Sequence, residues 1–536
     1  MISTQSPMEM HSGIAMALGL QYSQVSVRVP SVGGAFGGKT GISVFVAAAA
    51  ALAARATRLP VRVALSREQD SAMFGKRHPY YGQWQIAIDP GRADPDRRGI
   101  IRGLVNRMWG DGGAFYDCSF VVSDCMMTRA DNAYRIGNWQ AQIDVCRTNT
   151  APSTAFRAFG DIQSKLMFET AIEDAAFTIG MRPEEVREKN LYERGDVTPF
   201  GQSQPYCYMR EVWAYLKQVS EYETQLRKVR EFNAANRWRK RGIAMIPVKY
   251  ASGYNLAMLE QSAAMAAVYQ SDGSVVVHQG GVEMGQGLLT QAQQVAAYVL
   301  NLPLDMIDVR DPTTAVIPNP SSTGASTGTT YAAEGTRRVC ERLRARLTEF
   351  GYSLLKERGD AWCRQQGVDF WNYGLAGWNT EVKTTGSATA KLIWQNLVSH
   401  AYQARVSLVA SITEALPGGE APATGLTFKP ADQQPHIPGY TSAPGTSEEV
   451  DQFLGFTYSA ACSVVEVDIL TGESKVIRSD VAYDMGWSMN PALDVGQVEG
   501  AFVQGIGYVT SEQLVVQPDG PDAGRLNTPN TWEYKL

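Results

Sequence analysis

Four glycine-framed segments, widely separated along the chain, constrain its fold more than any other feature. They are Gly33-Gly34-Ala35-Phe36-Gly37-Gly38-Lys39-Thr40, Gly280-Gly281-Val282-Glu283-Met284-Gly285-Gln286-Gly287, Ser322-Thr323-Gly324-Ala325-Ser326-Thr327-Gly328-Thr329, and the run from Gly496 through Gly500 and Gln504 to Gly505. Glycine lets the main chain bend sharply and approach a ligand closely. A helix that starts at such a segment leaves N–H groups unpaired, and these can hold an anion or the polar edge of a ring. Taken singly, each segment is more often a turn than a site. Four in one chain ask for a shared explanation.

The first segment carries the letters of a nucleotide P-loop, a glycine, four residues and then Gly-Lys-Thr, between an expected strand and an expected helix. In that reading backbone N–H groups cradle phosphates, Lys39 meets the β- and γ-phosphates and Thr40 holds magnesium. The next apolar strand, residues 60–65 (PVRVAL), ends in Ser-Arg-Glu with no closing Asp, so the second magnesium ligand is missing. Two readings stand for this segment alone, an NTPase using Lys39 and Thr40 or a structural glycine turn. An NTPase leaves the other three segments unexplained.

Periodicity places the rest of the chain in an α+β class. Residues 24–29 (QVSVRV) alternate like a strand, and 42–58 have helical length, with the Ala-rich run 44–54 read as a buried helix. Residues 83–89 and 100–111 form a hairpin with an enlarged loop at 90–99, and 164–180 and 184–192 are helical. A charged stretch at 222–241 divides the chain into domains 1–220 and 221–536. In the second half, 265–279 make two strands about the Asp272-Gly273 turn, followed by a helix from Leu288 to Leu300. Strands at 464–470 and 475–483 about Thr471-Gly472 precede a helix at 496–507. The repeated order fits either internal relatives or two ordinary hairpin-plus-helix units. Residues 416–449, rich in Pro, Gly, Ser and Thr, read as a long surface connection.

Composition narrows the partners. Apolar residues are 44 % and charged residues 19 %, below the roughly 25 % charged of average soluble chains, so a large core is expected. A formal charge of −5 argues against nucleic acid. The longest apolar run is far shorter than the roughly 20 residues a membrane span needs. The first residues lack a secretory pattern. Seven scattered cysteines without a Cys-x-x-Cys pair and five histidines without helical ligand spacing offer no disulfide framework, no iron–sulfur ligand set and no protein-ligated catalytic metal. A reducing compartment fits, the cytoplasm first and the peroxisome second.

Together these segments resemble the molybdenum-cofactor portion of the xanthine dehydrogenase and aldehyde oxidase family. The matching text is VGGAFGGKT (32–40), DNAYRI (131–136), RTNTAPSTAFRAFG (147–160), GGVEMGQG (280–287) and SMNPALDVGQVEGAFVQGIG (488–507), in an order that spans nearly the whole chain. The resemblance implies a mixed, two-part molybdopterin-binding fold of β-hairpins and glycine-loop-to-helix units. It demotes the P-loop.

By that resemblance the cofactor is molybdopterin, with molybdenum carried by the pterin and no direct side-chain ligand. Its contacts are Phe36, Gly37, Met284, Gly285, Gln286, the loop Ala325, Ser326, Thr327, Gly328 and Thr329, and Arg157 and Gln504. Substrate-facing positions are Thr40, Cys125, Arg157, Phe159, Tyr254 and Asn255. The implied reaction hydroxylates an aldehyde or N-heterocycle with water as oxygen source. Electrons pass through 2Fe-2S clusters and FAD on other domains or subunits, and the complete enzyme is a homodimer. Purine-oxidising relatives carry Glu at the Thr40 position and Arg at the Cys125 position, so an aldehyde or another heterocycle is expected ahead of xanthine. The family's catalytic Glu would lie beyond Leu536, so no catalytic residue is assigned. A cofactor-free binding or assembly module of the same fold is the alternative.

Overall fold

Alternation of apolar and polar residues sets the strands. The structure, a computed structural model, describes residues 1–74, 76–254, 259–372, 388–415 and 453–535. The expected connection at 416–449 lies outside them. Within the described residues the strands are β1 (Tyr80–Ile88), β2 (Ile101–Gly113), β3 (Trp139–Arg147), β4 (Arg239–Ser252), β5 (Gln261–Val268), β6 (Val275–Gln279), β7 (Ile307–Val309), β8 (Val409–Ala415), β9 (Gly455–Asp468) and β10 (Ser474–Asp484). They form sheets ordered β1-β2-β3, β10-β9-β4 and β7-β6-β5-β8, interleaved with helices, so the α+β class holds.

The described chain divides into two compact units, each assembled from separate stretches. The first comprises Met1–Ala64, Leu256–Ala421 and Met489–Gln497; the second comprises Leu65–Asn255, Pro422–Ser488 and Val498–Leu536.

In the first unit the β7-β6-β5-β8 sheet is covered by the helices Leu288–Leu300 and Gly328–Arg358. Ala264, Ala266, Val275 and Val277 from the sheet meet Val339, Cys340, Leu343 and Leu347 from the longer helix, spaced to share one helical face. Gly335 on that face permits the closest approach, since a Cβ there would lie 2.3 Å from Ser262 Oγ. The Asp272-Gly273 turn is pinned by Trp394, whose indole N–H donates to the Gly273 carbonyl at 2.8 Å.

The strand expected at 60–65 does not form, and two further expectations fail in this unit. Residues 24–29 are not a strand: a short 3-10 turn, Tyr22–Gln24, is followed by a single bridge from Arg28 to Thr313. No neighbouring strand completes a ladder, and Val27 and Val29 are buried by side-chain packing with Met10 and Val282. The helix Ser43–Thr57 forms but is not a buried one. Phe45 and Leu52 are exposed and only Ser43 and Ala47 are buried, because an alanine-rich helix has few large side chains with which to make a core contact.

In the second unit β1 and β2 form the expected hairpin, with Trp84, Ile86 and Ile88 facing the core and Tyr81, Gln83 and Gln85 facing solvent. β3 joins β2 in parallel. β4 pairs with β9, and the β9–β10 hairpin turns at Thr471-Gly472 as expected. The charged stretch at 222–241 becomes the helix Tyr222–Ala235 and the start of β4, with Tyr222 and Val229 buried.

Beneath these elements lies a buried ionic network. Lys249 Nζ meets Asp131 Oδ2 at 2.5 Å, and the Tyr192 hydroxyl donates to the same oxygen at 2.8 Å. Lys165 pairs with Asp161 at 2.7 Å and donates to the Lys249 carbonyl at 2.5 Å. Arg187 pairs with Glu169 at 2.8 Å, and Glu169 also accepts from Asn132 and from the Tyr134 hydroxyl, each at 2.7 Å. Asp131, Asn132 and Tyr134 of the DNAYRI motif therefore act as buried connectors between the helix Asp161–Ile179, the helix Pro183–Asn190 and β4.

His78 is buried in the same unit with Nε2 at 2.7 Å from Ser119 Oγ. Burial pushes its imidazole down to about 4 from the ordinary 6.5, against smaller upward pulls from Thr154 and Asp111. The unfolded chain therefore binds this proton at higher pH than the folded one. The contribution of His78 is complete above about pH 6.5, and about 3 kcal/mol is lost as pH falls toward 4. Urea midpoints of the parent and His78→Asn chains across that range should diverge by this slope; parallel pH profiles would refute it.

Candidate functional site

In the first unit the glycine segments are joined by hydrogen bonds that no motif announces. Gln5, 2 % exposed, is the hub. Its side-chain oxygen accepts from the N–H of Gly37 at 2.8 Å and of Lys39 at 3.4 Å, and its amide donates to the Thr323 carbonyl at 2.8 Å. Its own N–H donates to the Lys39 carbonyl at 2.7 Å, and its carbonyl accepts from Thr323 N–H at 2.9 Å. Thr323 Oγ1 accepts from Val282 N–H at 2.9 Å, and Val32 N–H donates to the Glu283 carbonyl at 2.8 Å. Three segments remote in sequence are thus one hydrogen-bonded body. Leu493, three residues before the fourth, packs so closely on Gly287 that a Cβ there would lie 2.4 Å from Leu493 Cδ1.

This arrangement excludes the P-loop reading. The N–H groups of Gly37 and Lys39 are spent on Gln5, Lys39 Nζ donates back to the Gly34 carbonyl at 2.8 Å, and Thr40 Oγ1 donates to the Gly37 carbonyl at 3.2 Å. The strand that should precede the loop is absent as well.

The two helix starts in this unit differ. Glu283 accepts from the N–H of Gly285 at 2.8 Å, Gly287 at 3.0 Å and Leu289 at 3.1 Å, while Gln286 Oε1 takes Met284 N–H at 2.7 Å. The donors expected to be free at residues 280–287 are therefore satisfied within the loop, and the Gln286 amide donates to the Val282 carbonyl at 2.9 Å. The helix Gly328–Arg358 has no such cap, because the Thr327 hydroxyl turns to the Gly324 carbonyl at 3.0 Å. Its positive dipole end remains available to a negative group. Phe36, Ala325 and Ser326 hold φ values of 54°, 51° and 59°, left-handed conformations that cost non-glycine residues about 1–3 kcal/mol each and persist only where the surroundings impose them. Phe36 and Ser326 are exposed, and Gly285 faces open space where a Cβ would be. Thr329 donates to the Gln291 side chain.

In the second unit the loop at 154–160 carries the other expected residues. Arg157 Nη1 donates to Gln504 Oε1 at 3.3 Å, on the helix Pro491–Thr510. Burial lowers the Arg157 guanidinium somewhat, opposed by Tyr250 and Tyr483. Phe159 is half-buried, with the Arg129 guanidinium 5.7 Å from its ring centre. Cys125 sits one helical turn before Arg129; burial pushes its thiol up to about 12, so it stays protonated, with Arg129 pulling the other way. Tyr254 is half-buried just beyond β4. Asn255 lies outside the described residues.

Two family models, each a molybdopterin cofactor-binding domain, match residues 1–191 and 215–536. The chain belongs to the molybdopterin cofactor-binding domain family. Xanthine dehydrogenase/oxidase of Rattus norvegicus is 34 % identical over 535 residues, covering 100 % of this chain and 35 % of the relative. Aldehyde oxidase 2 of Macaca fascicularis is 32 % identical over 521 residues, covering 97 % of this chain and 34 % of its own length. This molybdopterin-binding chain thus spans about a third of the curated relatives it matches. Among solved structures, quinoline 2-oxidoreductase from Pseudomonas putida 86 superposes with a TM-score of 0.76 at 20 % identity, over 100 % of this chain and 63 % of that one, a likeness of fold.

The residues present fit a molybdopterin. The first unit supplies hydrogen-bond donors at an uncapped helix start, a strained loop of small residues beside it and exposed main chain at Phe36 and Gly285. Among the described residues no group of three or more His, Cys, Asp or Glu is placed to hold a metal ion itself. Sequence reading missed Gln5 and Glu283 as the residues that shape this site. Glu283 stands inside a quoted motif, three residues after Gly280, where a carboxylate ahead of a helix reads as a cap. Gln5 has no local signal, because its partners are 32 and 318 residues away.

Proposed function

We propose that this chain is the cofactor-holding part of a molybdenum hydroxylase acting on aldehydes or N-heterocycles, with residues 1–220 and 221–536 as its two cofactor-binding domains. The observation that carries the reading is the union of three glycine segments by Gln5 and Thr323 around left-handed Phe36, Ala325 and Ser326. Bound molybdopterin supplies two-electron redox chemistry with water as the oxygen source. In the first unit, Phe36 and Gly37 present main chain to the cofactor, Gln286 fixes the loop Met284-Gly285, and residues 325–329 offer backbone donors and hydroxyls to its negative groups. In the second unit, Arg157 and Gln504 form a hydrogen-bonded pair suited to a negative group. Phe159 and Tyr254 flank a flat substrate, each favourable ring contact adding about 0.5–1.5 kcal/mol beyond burial. The uncharged residues at Thr40 and Cys125 favour an aldehyde or a heterocycle other than xanthine.

Electrons leave to iron–sulfur and flavin domains or subunits, and the complete enzyme is a cytoplasmic homodimer. Support for the compartment comes from the seven cysteines, which form no disulfide.

Molybdenum measured by mass spectrometry on chain purified from a molybdenum-replete host tests the reading. Near-stoichiometric metal is expected, with retention lowered about tenfold in Gln286→Ala, because the loop loses the bonds to Met284 and Val282. Folded, metal-free parent protein would instead favour a cofactor-free module.

A further inference from the structure

Arg77 is half-buried and meets two aromatic rings, with its guanidinium carbon 5.1 Å from the ring centre of Phe156 and 5.0 Å from that of Tyr508. Its Nη1 also donates to the Phe156 carbonyl at 3.2 Å. The main chain beside it is joined to the same loop: Arg77 forms a parallel bridge with Thr154, and Thr154 N–H donates to the Lys76 carbonyl at 3.0 Å. Burial lowers the guanidinium, opposed by Tyr508, Tyr534, Glu512 and Tyr250. All of these residues belong to the second unit.

The two rings come from the two elements that carry the Arg157–Gln504 bond. Phe156 precedes Arg157 in the loop at 154–160. On the helix Pro491–Thr510, Gly500, Gln504 and Tyr508 recur every four residues and so form one ridge of its surface. Arg157 lies along the first part of that ridge: its Nη1 reaches Gln504 Oε1 at 3.3 Å, and a Cβ added to Gly500 would lie 3.9 Å from the same nitrogen. Arg77 takes the next position, Tyr508. Loop and helix therefore meet at two points one helical turn apart, with one guanidinium at each. The Gln504 bond is longer than the usual 2.9–3.0 Å or so and joins two long side chains, so by itself it holds the elements loosely. Arg77 is tied to the loop through its backbone as well as its side chain, so its reach to Tyr508 fixes how far the helix stands from the loop.

We propose that Arg77 is a positioning residue for the Arg157–Gln504 pair: held to the 154–160 loop at Thr154 and Phe156, it grips Tyr508 and sets the distance at which Arg157 meets Gln504. This deepens the functional reading above and rests on its assignment of that pair to a negative group.

Arginine modification by phenylglyoxal, read as initial rates on separate peptides by mass spectrometry of the full chain, tests the proposal, with molybdenum content measured on the same samples. Arg77→Met keeps an unbranched side chain and removes the charge and the donors. It should speed modification of Arg157 about fivefold, the equivalent of one lost hydrogen bond. Arg102 of β2, paired with Asp89, should keep its parent rate. Gln504→Ala should speed Arg157 by a similar factor, and the double variant no further, because both changes release the same bond. Arg77→Lys keeps a charge for the rings but loses the planar fork that also reaches the Phe156 carbonyl, so it should recover part of the protection. A role in folding alone would speed Arg102 as well and would add to the effect of Gln504→Ala. An unchanged Arg157 rate in Arg77→Met, equal acceleration at Arg102, or additive effects in the double variant overturns the proposal. If Arg77→Met does not fold, Tyr508→Leu, which removes the ring on the helix side, takes its place with the same expected and overturning results. Metal-free parent chain with the coupling intact sinks the cofactor reading and leaves this one standing; metal-loaded chain with additive effects does the reverse.

Discussion

Gln5→Ala is expected to loosen the first unit's loops and to strip the chain of most of its molybdenum. The substitution orphans the N–H groups of Gly37 and Lys39 and the Thr323 carbonyl in a part-buried setting. An unsatisfied buried group costs about 1–3 kcal/mol, and water can repay part of that here, so about 2–4 kcal/mol of local stability should go. Hydrogen exchange read at residues 32–40 and 322–329 should accelerate together, since Gln5 is what couples them. Gln5→Glu separates the two roles. It keeps an acceptor for Gly37 and Lys39 but turns a second oxygen toward the Thr323 carbonyl, so the 322–329 loop should loosen more than the 32–40 loop. Unchanged exchange and full metal occupancy in Gln5→Ala would reduce the residue to a bystander.

Lys249→Met is expected to be the most destabilising single change in the second unit. It leaves the Asp131 carboxylate fully buried with, among the described residues, only the Tyr192 hydroxyl as a remaining donor. Breaking a buried pair from one side costs about 3–5 kcal/mol, a loss of about 10 °C in melting temperature for a unit of this size. Burial already pushes the Asp131 carboxyl upward, with Lys249 opposing. Removing Lys249 frees that upward shift, so the variant's deficit should shrink as pH falls and Asp131 takes up a proton. Adding Asp131→Leu to Lys249→Met should recover much of the loss, because an apolar pair avoids the charge altogether. A double variant as unstable as the single one would show that Asp131 matters for more than its charge.

Both predictions turn on residues with different visibility in the sequence. Asp131 belongs to a motif that could be recognised, although its part in an ionic network with β4 and two helices could not be read from six letters. Gln5 belongs to no motif. Locally encoded elements were legible: the helix Leu288–Leu300, the β1–β2 hairpin and the β9–β10 hairpin follow from periodicity and turn residues that act over a few positions. The expectation of a strand at 24–29 failed for the converse reason. Alternating β-branched residues favour an extended chain, but a strand also needs a neighbour to bond, and only the bridge from Arg28 to Thr313 is made.

The glycine segments show the same division. Their composition declared that the main chain must bend and come close to something, and their order pointed to the molybdopterin cofactor-binding family. Which N–H groups remain for a ligand was decided by tertiary contacts. Glu283 closes one helix start, Gln5 consumes the donors a phosphate would need at Lys39, and the start at Gly328 is left without a side-chain cap. Short-range stereochemistry is written residue by residue along the chain, whereas the pairing of a donor with its acceptor depends on which distant segment arrives beside it. The sequence by itself therefore determined the elements and the family. Only the folded structure determined that Asp131 meets Lys249 and Tyr192, because a buried charge is balanced by neighbours gathered from helix, loop and strand.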